Sequence, residues 1–485
     1  MNTECTPENR DTDGGMTRRG FLVSSAAAAL WCLTGCRGRP PLRGSEKNLI
    51  LIVSDTLRAD HLGYYGSHLG VTPHMDALAD RGTVFENAIS CAPLTGASHA
   101  SLMTGAYQTR HGIAGNQGKI PSRLVTLAQA CRGAGYQTAA IVSNPVLSRR
   151  NLPGIDRGFD RYDADFPAME RNRDTPYRDA TDTTAATLDW FKAVPRSPFF
   201  LWLHYQEPHG PYEVPDRSLL TKVGSLAPQS GEASTLPLLR GNFGQGGIPR
   251  YQVLGSTRDP AHYRAQYAAR IAYVDGHVGR VLEEVRRLGL EEDTVVVLTS
   301  DHGELLGEHD YYFQHGITVL QPVLHVPLIL AGPGIDVGGR VPALVSNTDI
   351  MPTLLDLLDI GSEDLGEQMD GHTLVPRLQG TPEGEGHYVY AMCERTREWC
   401  LLKGRHKFTL GERTPENAER LIDIEEDPAE ERDVSAEYPE VAERLKAALL
   451  RFRSASPDVL SAGEPRTSRL TDADRRRLRA LGYLD

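Results

Sequence analysis

Apolar residues along this chain fall into two patterns. Leu49–Val53 and Val295–Leu298 are continuous β-branched and aliphatic runs with no polar alternation, which predicts strands buried on both faces of a parallel sheet, and Phe199–Leu203 is a further apolar segment. The segment YRAQYAARIAYVDGHVGRVLEEVRRLGL instead repeats its apolar residues near the helical period and closes at Gly289, so it predicts a helix that covers the sheet, with Asp275 on it in a structural role. Toward the C-terminus, EGHYVYAMCE and REWCLLKGRHKFTLG read as strands joined by a short turn. LIDIEEDPAEERD reads as an acidic turn and YPEVAERLKAALLRFRS as an amphipathic helix. Between Glu213 and His262 a Gly-, Pro- and Ser-rich stretch keeps neither period and is expected to be a long surface loop near the site, either a substrate-selecting lid or an insertion without consequence. No internal repeat is visible.

The ends of these runs carry chemistry. The first run closes on Asp55 and the last on Asp301 and His302, while LTGASHASLMTG carries Thr95. Ligands of open α/β sheets gather at the carboxyl ends of strands, so carboxylates just past two such runs are placed for catalysis. Taken singly, Asp55 suits a helix N-cap and Asp301-His302-Gly303 suits a turn. Taken together, two carboxylates, an imidazole and a hydroxyl suit a divalent cation, which lowers the hydroxyl's pKa and neutralises an anionic ester.

DTLRADHLGYYG, ASHASLMTG followed by RHG, LHYQEPHGPY, SDHGELLGEH with FQHG, and DGHTLVPRLQG occur in the order and approximate spacing of the sulfatases, a branch of the alkaline phosphatase superfamily. The chain resembles that family over most of Asn48–Gly380, and LIDIEEDPAEERDV and RRRLRALGYLD resemble its C-terminal region. The resemblance implies an α/β fold, a large mixed, mostly parallel sheet sandwiched by helices, with a small C-terminal antiparallel-sheet subdomain. It implies a metal site of Asp55, Thr95, Asp301 and His302, with Thr95, His209 and His315 as catalytic residues. His99, Arg110, His111 and Asn144 become candidate substrate-binding residues, and His309 a weaker one.

Departures from the family pattern change the expected chemistry. Thr95 stands where the family carries the Cys or Ser that is oxidised to formylglycine, and threonine cannot become that aldehyde. Ser98 keeps the motif serine, while Ala97 and His99 replace its proline and arginine. Cys91 offers a rival register that supplies no arginine. Thr56 replaces a second metal aspartate, and His302 stands where an asparagine often follows Asp301, which moves the expected single divalent ion from calcium toward zinc or manganese. The leading expectation is a metal-dependent hydrolase of sulfate or phosphate/phosphonate esters with Thr95 as nucleophile. The alternatives are a transferase of phosphorylated headgroups in the bacterial envelope and a non-catalytic binding protein on the same fold.

The N-terminus predicts location. Arg18 and Arg19 precede FLVSSAAAALWCL, which is shorter than the ~20 residues that span a bilayer, and LTGC resembles a lipobox ending at Cys36. We read residues 1–36 as a twin-arginine signal with lipobox, 37–47 as a tether, 48–380 as the catalytic domain and 381–485 as the C-terminal subdomain. The expected location is outside the cytoplasm, lipid-anchored at the outer face of a bacterial membrane or in the periplasm. No later apolar run is long enough to cross a membrane. About 450 residues would remain after processing, enough for a large core.

The net charge of −12 argues against a nucleic-acid partner, leaving a small-molecule, glycan or lipid ester as the expected substrate. Of seven cysteines, Cys5 and Cys32 leave with the signal and Cys36 is the lipid site. Cys91, Cys131, Cys393 and Cys400 remain, with pairing of the last two left open.

Overall fold

Strand β1 (Asn48–Ser54) is buried at every position because its side chains enter two different cores. Leu49, Leu51 and Val53 pack on one face, with helices α2 (Thr95–Thr104), α3 (Leu127–Gly133) and α6 (Ile350–Leu357). Ile50 and Ile52 pack on the other, with α1 (Pro73–Asp80), α4 (Ala180–Phe191) and the long α5 (Pro260–Arg287). A strand covered on both faces has no solvent side on which to place a polar residue, hence the unbroken apolar run. The computed structural model describes residues 45–169, 176–193, 198–226, 235–361, 365–381, 386–411 and 419–455. The proposed export signal, Cys36 and nearly all of the tether lie outside these residues.

The remaining strands of the main sheet are β2 (Gly82–Ile89), β3 (Gln137–Ile141), β4 (Arg161–Asp163), β5 (Phe199–Tyr205), β6 (Thr294–Ser300), β7 (His325–Ala331) and β8 (Gly339–Ser346). Their order across the sheet is β8-β2-β7-β6-β1-β5-β3-β4. Only β7 runs against the others, pairing antiparallel with both β6 and β2, so the sheet is mixed and mostly parallel. The register at its centre sets where polar residues can meet. Ser54 pairs with both Tyr205 and Ser300, so β1, β5 and β6 run out at one level and the residue after each emerges beside its neighbours.

A second sheet forms from β9 (Val389–Cys393), β10 (Glu398–Lys403), β11 (His406–Gly411) and β12 (Glu419–Asp423), each antiparallel to the next. One face holds Trp399, Leu401, Phe408 and Leu421 against Leu445 and Leu449 of α7 (Pro439–Ser454), and the other packs Val389, Ala391 and Leu402 against Leu305, Val323 and Leu344 of the main domain. Lys407 fastens the two parts: buried, it donates to the Val319 carbonyl and pairs with Glu430 at 2.7 Å.

Two expectations need correction, and the open question of Cys393 and Cys400 is answered. Leu421-Ile422-Asp423 lie in strand β12 rather than a turn, because the edge of the small sheet offers β11 a partner that local composition does not reveal. Cys393 and Cys400 are free and buried: the register sets Cys400 opposite Ala391 and Cys393 opposite Glu398, out of step with each other. The stretch 213–262 is not simply a surface loop. It contains a helix at Arg217–Leu226, and Ile248, Tyr251 and Gln252 are buried, the last two donating to the Phe313 carbonyl at 3.0 Å each. Its anchoring contacts are tertiary, so no local period announces them. Among the described residues no helix is long and apolar enough to cross a membrane.

Asp275 is structural, as its position on α5 suggested. Its carboxylate accepts the backbone N–H groups of His74 (3.1 Å) and Met75 (2.8 Å), two donors in the first turn of α1 that have no partner within their own helix. Burial raises its pKa from 3.8 to about 6. The folded protein therefore holds this proton where the unfolded chain has lost it, and stability falls as pH rises from about 4 to 6. A difference of that size in proton affinity makes the expected loss in wild type on the order of 3 kcal/mol over that window. Asp275→Asn, which keeps an acceptor without the charge, should lack this component, as urea denaturation at pH 4.5 and pH 7.5 would read. Identical pH slopes in the two proteins would refute the assignment.

Candidate metal centre

Asp55 follows β1 and Asp301 follows β6, and the common level of those strands makes the two carboxylates neighbours. The turn between them is tied down on both sides. Asp55 donates its backbone N–H to the Tyr205 carbonyl (2.9 Å), and Leu57 donates to Ser300 Oγ (2.9 Å). Asp301 Oδ1 accepts the N–H groups of Thr56 (3.2 Å) and His302 (2.8 Å). Thr56 reaches this position only at φ +63°, a left-handed conformation that is costly for a β-branched residue. Its hydroxyl turns back to the Asp55 carbonyl (2.6 Å), so it does not stand in for a metal carboxylate.

Asp55 Oδ1 and Asp301 Oδ2 have no hydrogen-bond partner among the described residues, although both side chains are wholly buried. His302 faces them with Nε2, 4.0 Å from Asp55 Oδ1 and 3.6 Å from Asp301 Oδ2, while its Nδ1–H donates to the Gly303 carbonyl at 3.0 Å. That tether fixes the tautomer with the Nε2 lone pair toward the carboxylates, the arrangement of a metal-ligating histidine. Burial, then the charge of Asp301, raises the pKa of Asp55 well above its ordinary value. Burial also acts to raise Asp301, but His302, His99 and the two backbone donors outweigh it and the net direction is down. A divalent cation between orphaned oxygens and a fixed imidazole lone pair would relieve this crowding, and the donor set fits one.

Thr95 opens α2 and is fully buried, its Oγ1 3.5 Å from His302 Nε2. Helix α2 is held against the Asp301 turn by Ser98, one turn further on, whose hydroxyl donates to the Asp301 carbonyl (2.7 Å) and accepts from Asn347 Nδ2 (2.9 Å). Gly96 allows the approach of the following loop: a Cβ there would lie 2.7 Å from the Gly115 carbonyl oxygen. Cys91, the rival register, packs with Ala92, Ala97 and Tyr107, and burial pushes its thiol up to about 12.

A group of histidines surrounds these residues. His315 Nδ1 bonds to Glu304 Oε1 at 2.9 Å, and its ring centroid lies 4.5 Å from that of His302 and 5.1 Å from that of His209. His209 donates through Nδ1 to the Gly210 carbonyl at 2.6 Å. Burial lowers both imidazoles, and it raises Glu304 to about 8. His99 bonds through Nδ1 to the Thr95 carbonyl at 2.8 Å and stacks near His204, 5.0 Å between centroids. His204 and Glu304 were missed in the sequence. The signal for the first was an imidazole inside the otherwise apolar run FFLWLHY, and for the second its place in SDHGE.

The other candidates separate. Asn144 belongs to the site, since its Nδ2–H donates to Asp55 Oδ2 at 2.7 Å, so it supports the carboxylate rather than standing as a substrate group on its own. Arg110 is engaged by Asp370 (2.6 and 3.0 Å) and the Glu367 carbonyl. His111 bonds Ser101 Oγ (2.8 Å) and accepts the Ile113 N–H (3.1 Å). Through these contacts Arg110 and His111 anchor the turn after α2. His309 bonds the Ala429 carbonyl at 2.8 Å, on the contact with the C-terminal part.

A mixed, mostly parallel sheet between helices, with buried carboxylates and imidazoles at its carboxyl edge, defines an α/β protein with a candidate metal centre. The sulfatase family model matches residues 47–360, and this chain belongs to the sulfatase family, a family of ester hydrolases. Among curated relatives, a choline-sulfatase of Rhizobium meliloti is 27% identical over 79% of this chain and 81% of its own length. A multifunctional alkaline phosphatase superfamily protein of Trinickia caryophylli is 29% identical over 71% of this chain and 80% of its own length. Among solved structures, the phosphonate monoester hydrolase of Agrobacterium radiobacter superposes with a TM-score of 0.65 at 24% identity, covering 84% of this chain and 95% of that one, which shows the shared fold.

The bond from Asn144 orients Asp55, and such supporting partners typically contribute 10- to 100-fold in metal affinity. Asn144→Ala should therefore release its divalent ion to a competing chelator about 10- to 100-fold more readily than wild type, with an unchanged circular dichroism spectrum. Equal retention by the two proteins would show that Asp55 needs no such support.

Proposed function

We propose that this protein is a metal-dependent hydrolase in which Thr95 attacks the sulfur or phosphorus of an anionic ester, with phosphodiesters and phosphonate monoesters favoured over sulfates. The observation that carries this reading is the Thr95 hydroxyl at 3.5 Å from His302 Nε2, beside two buried carboxylates with unpartnered oxygens. Asp55, Asp301 and His302 would hold the ion, zinc or manganese by their donor chemistry, and it would acidify the threonine hydroxyl and neutralise the ester's charge.

Thr95 Oγ loses its proton to solvent and forms the new bond to phosphorus or sulfur while the bond to the leaving oxygen breaks. His315, held through Nδ1 by Glu304, is aligned to give that oxygen a proton, and His209 to hold the ester. Water then attacks the threonine ester, returning the hydroxyl and releasing a phosphate monoester from a phosphodiester, phosphonate from a phosphonate monoester, or sulfate from a sulfate monoester. A formylglycine hydrate can expel sulfate by elimination from its second hydroxyl, whereas threonine has one oxygen only. Its ester must be cleaved by displacement, which for phosphorus is served by positioning and charge stabilisation.

Thr95→Ala should retain metal and lose at least about 10³-fold in kcat, the scale of removing an activated nucleophile. Wild type assayed on sulfate monoesters, phosphate monoesters, phosphodiesters and phosphonate monoesters should turn over the last two at least as fast as the first. Full activity in Thr95→Ala, or formylglycine found at Cys91 by peptide mass analysis, would overturn the reading. Addition of an acceptor alcohol separates hydrolysis from transfer: an undiminished rate in water alone supports the hydrolase.

The N-terminal motifs support export by the twin-arginine route and lipid anchoring at Cys36. Cys36→Ala should move the exported protein from the membrane to the soluble fraction on cell fractionation. Retention in the membrane would refute the anchor.

A further inference from the structure

We propose that His99, His204 and Asp301 form a second cation site, which shares Asp301 with the first and takes a divalent transition metal such as zinc. The inference rests on the reading of Asp55, Asp301 and His302 as the first metal centre.

His204 lies in β5 opposite Val53 of β1, and it is completely buried. Neither of its ring nitrogens has a hydrogen-bond partner among the described residues. An imidazole carries a donor and an acceptor in every neutral tautomer, and leaving a buried polar group unsatisfied is destabilising. His99 shows the complementary feature. Its Nδ1–H is occupied by the Thr95 carbonyl at 2.8 Å, which leaves the lone pair on Nε2, and Nε2 is buried without a partner among the same residues. Asp301 has its Oδ1 taken by two backbone N–H groups, while Oδ2 has no hydrogen bond among the described residues and lies 3.7 Å from His99 Nδ1.

One ring nitrogen from each histidine and one carboxylate oxygen of Asp301 lie within 4.8 Å of one another. Two neutral imidazoles and a carboxylate are the donor set that zinc and its neighbours accept, and a carbonyl holding the far nitrogen of one imidazole is the usual support for such a ligand. His204 Nε2 also lies 3.7 Å from Asp55 Oδ2, so the two groups of ligands are contiguous. Paired metal sites that share a carboxylate clamp both the attacking and the leaving oxygen of a displacement.

The test is metal stoichiometry on the full-length protein, stripped by chelator and reloaded with zinc chloride, then read by elemental analysis after gel filtration. Wild type should bind two equivalents, His204→Leu and His99→Leu one each, and Asp301→Asn at least tenfold more weakly at both sites. Cobalt(II) gives a second readout independent of activity. The His99 ring lies 5.5 Å from Trp202, so the second equivalent of cobalt should quench the part of wild-type tryptophan emission that Trp202→Phe removes. One equivalent in wild type, lost in Asp55→Asn and unchanged in His204→Leu, would overturn the second site while leaving the first intact. Two equivalents retained in His204→Leu and His99→Leu would also overturn it. No bound zinc in a protein that still hydrolyses esters would overturn both.

Discussion

Burying Asp55 and Asp301 side by side is the constraint on which the rest of this molecule depends. Each lies one residue past a strand, and those strands pair in register at the centre of the sheet, so the fold brings two like charges together away from water. Such an arrangement persists only where surrounding groups compensate it. The compensation is visible on every side: backbone N–H groups of Thr56 and His302 on Asp301, the Asn144 amide on Asp55, and imidazoles of His302, His99 and His204 around both. Oxygens still without hydrogen-bond partners among the described residues make this a candidate cation site.

The helices then have a definite task. Helix α2 must bring Thr95 to the carboxylates, and it is fixed there by Ser98 on the Asp301 carbonyl and by Gly96 against the next loop. Helix α5 acts from further away: Tyr267 donates to the Thr56 carbonyl at 2.7 Å, bracing the left-handed residue between Asp55 and the following turn. The small C-terminal sheet packs on the segments that follow Asp301 and its strand, and Lys407 and Glu430 hold Val319 and Gln321 there through a buried ion pair. Opening that pair would leave one charge unpaired in the core, which costs about 3–5 kcal/mol, so this contact is built to be permanent.

Family membership and chemistry draw on different residues. The match over 47–360 follows the sheet, its turns and the helices between them. The reaction depends on a few side chains within that frame, and Thr95 and His99 are departures from the pattern that the sequence resembles. On the proposed reading one fold would accommodate different nucleophiles, because the strand ends fix where the candidate metal ligands stand while the first turn of α2 is free to vary in what it presents.

Much of this was legible in the chain itself. Unbroken apolar runs marked the central strands, and their terminal residues Asp55, Asp301 and His302 marked the site, because a strand buried on both faces has a sharp polar end. The long helical period ending at Gly289 marked α5 for the same local reason. What the sequence could not supply was pairing. Strand β12 looked like a turn because its strand character comes from β11, and Cys393 and Cys400 look bridgeable until the register of β9 and β10 sets them apart. Arg110 and Asn144 had equal standing as polar residues near a motif, and only distance to Asp370 or Asp55 separates them. His204 was hidden in an apolar strand, yet its neighbours across the sheet make it part of the site. Local pattern determines which segments become strands and helices and which end in chemistry; contacts between residues far apart in sequence depend on register and packing, which the tertiary structure alone decides.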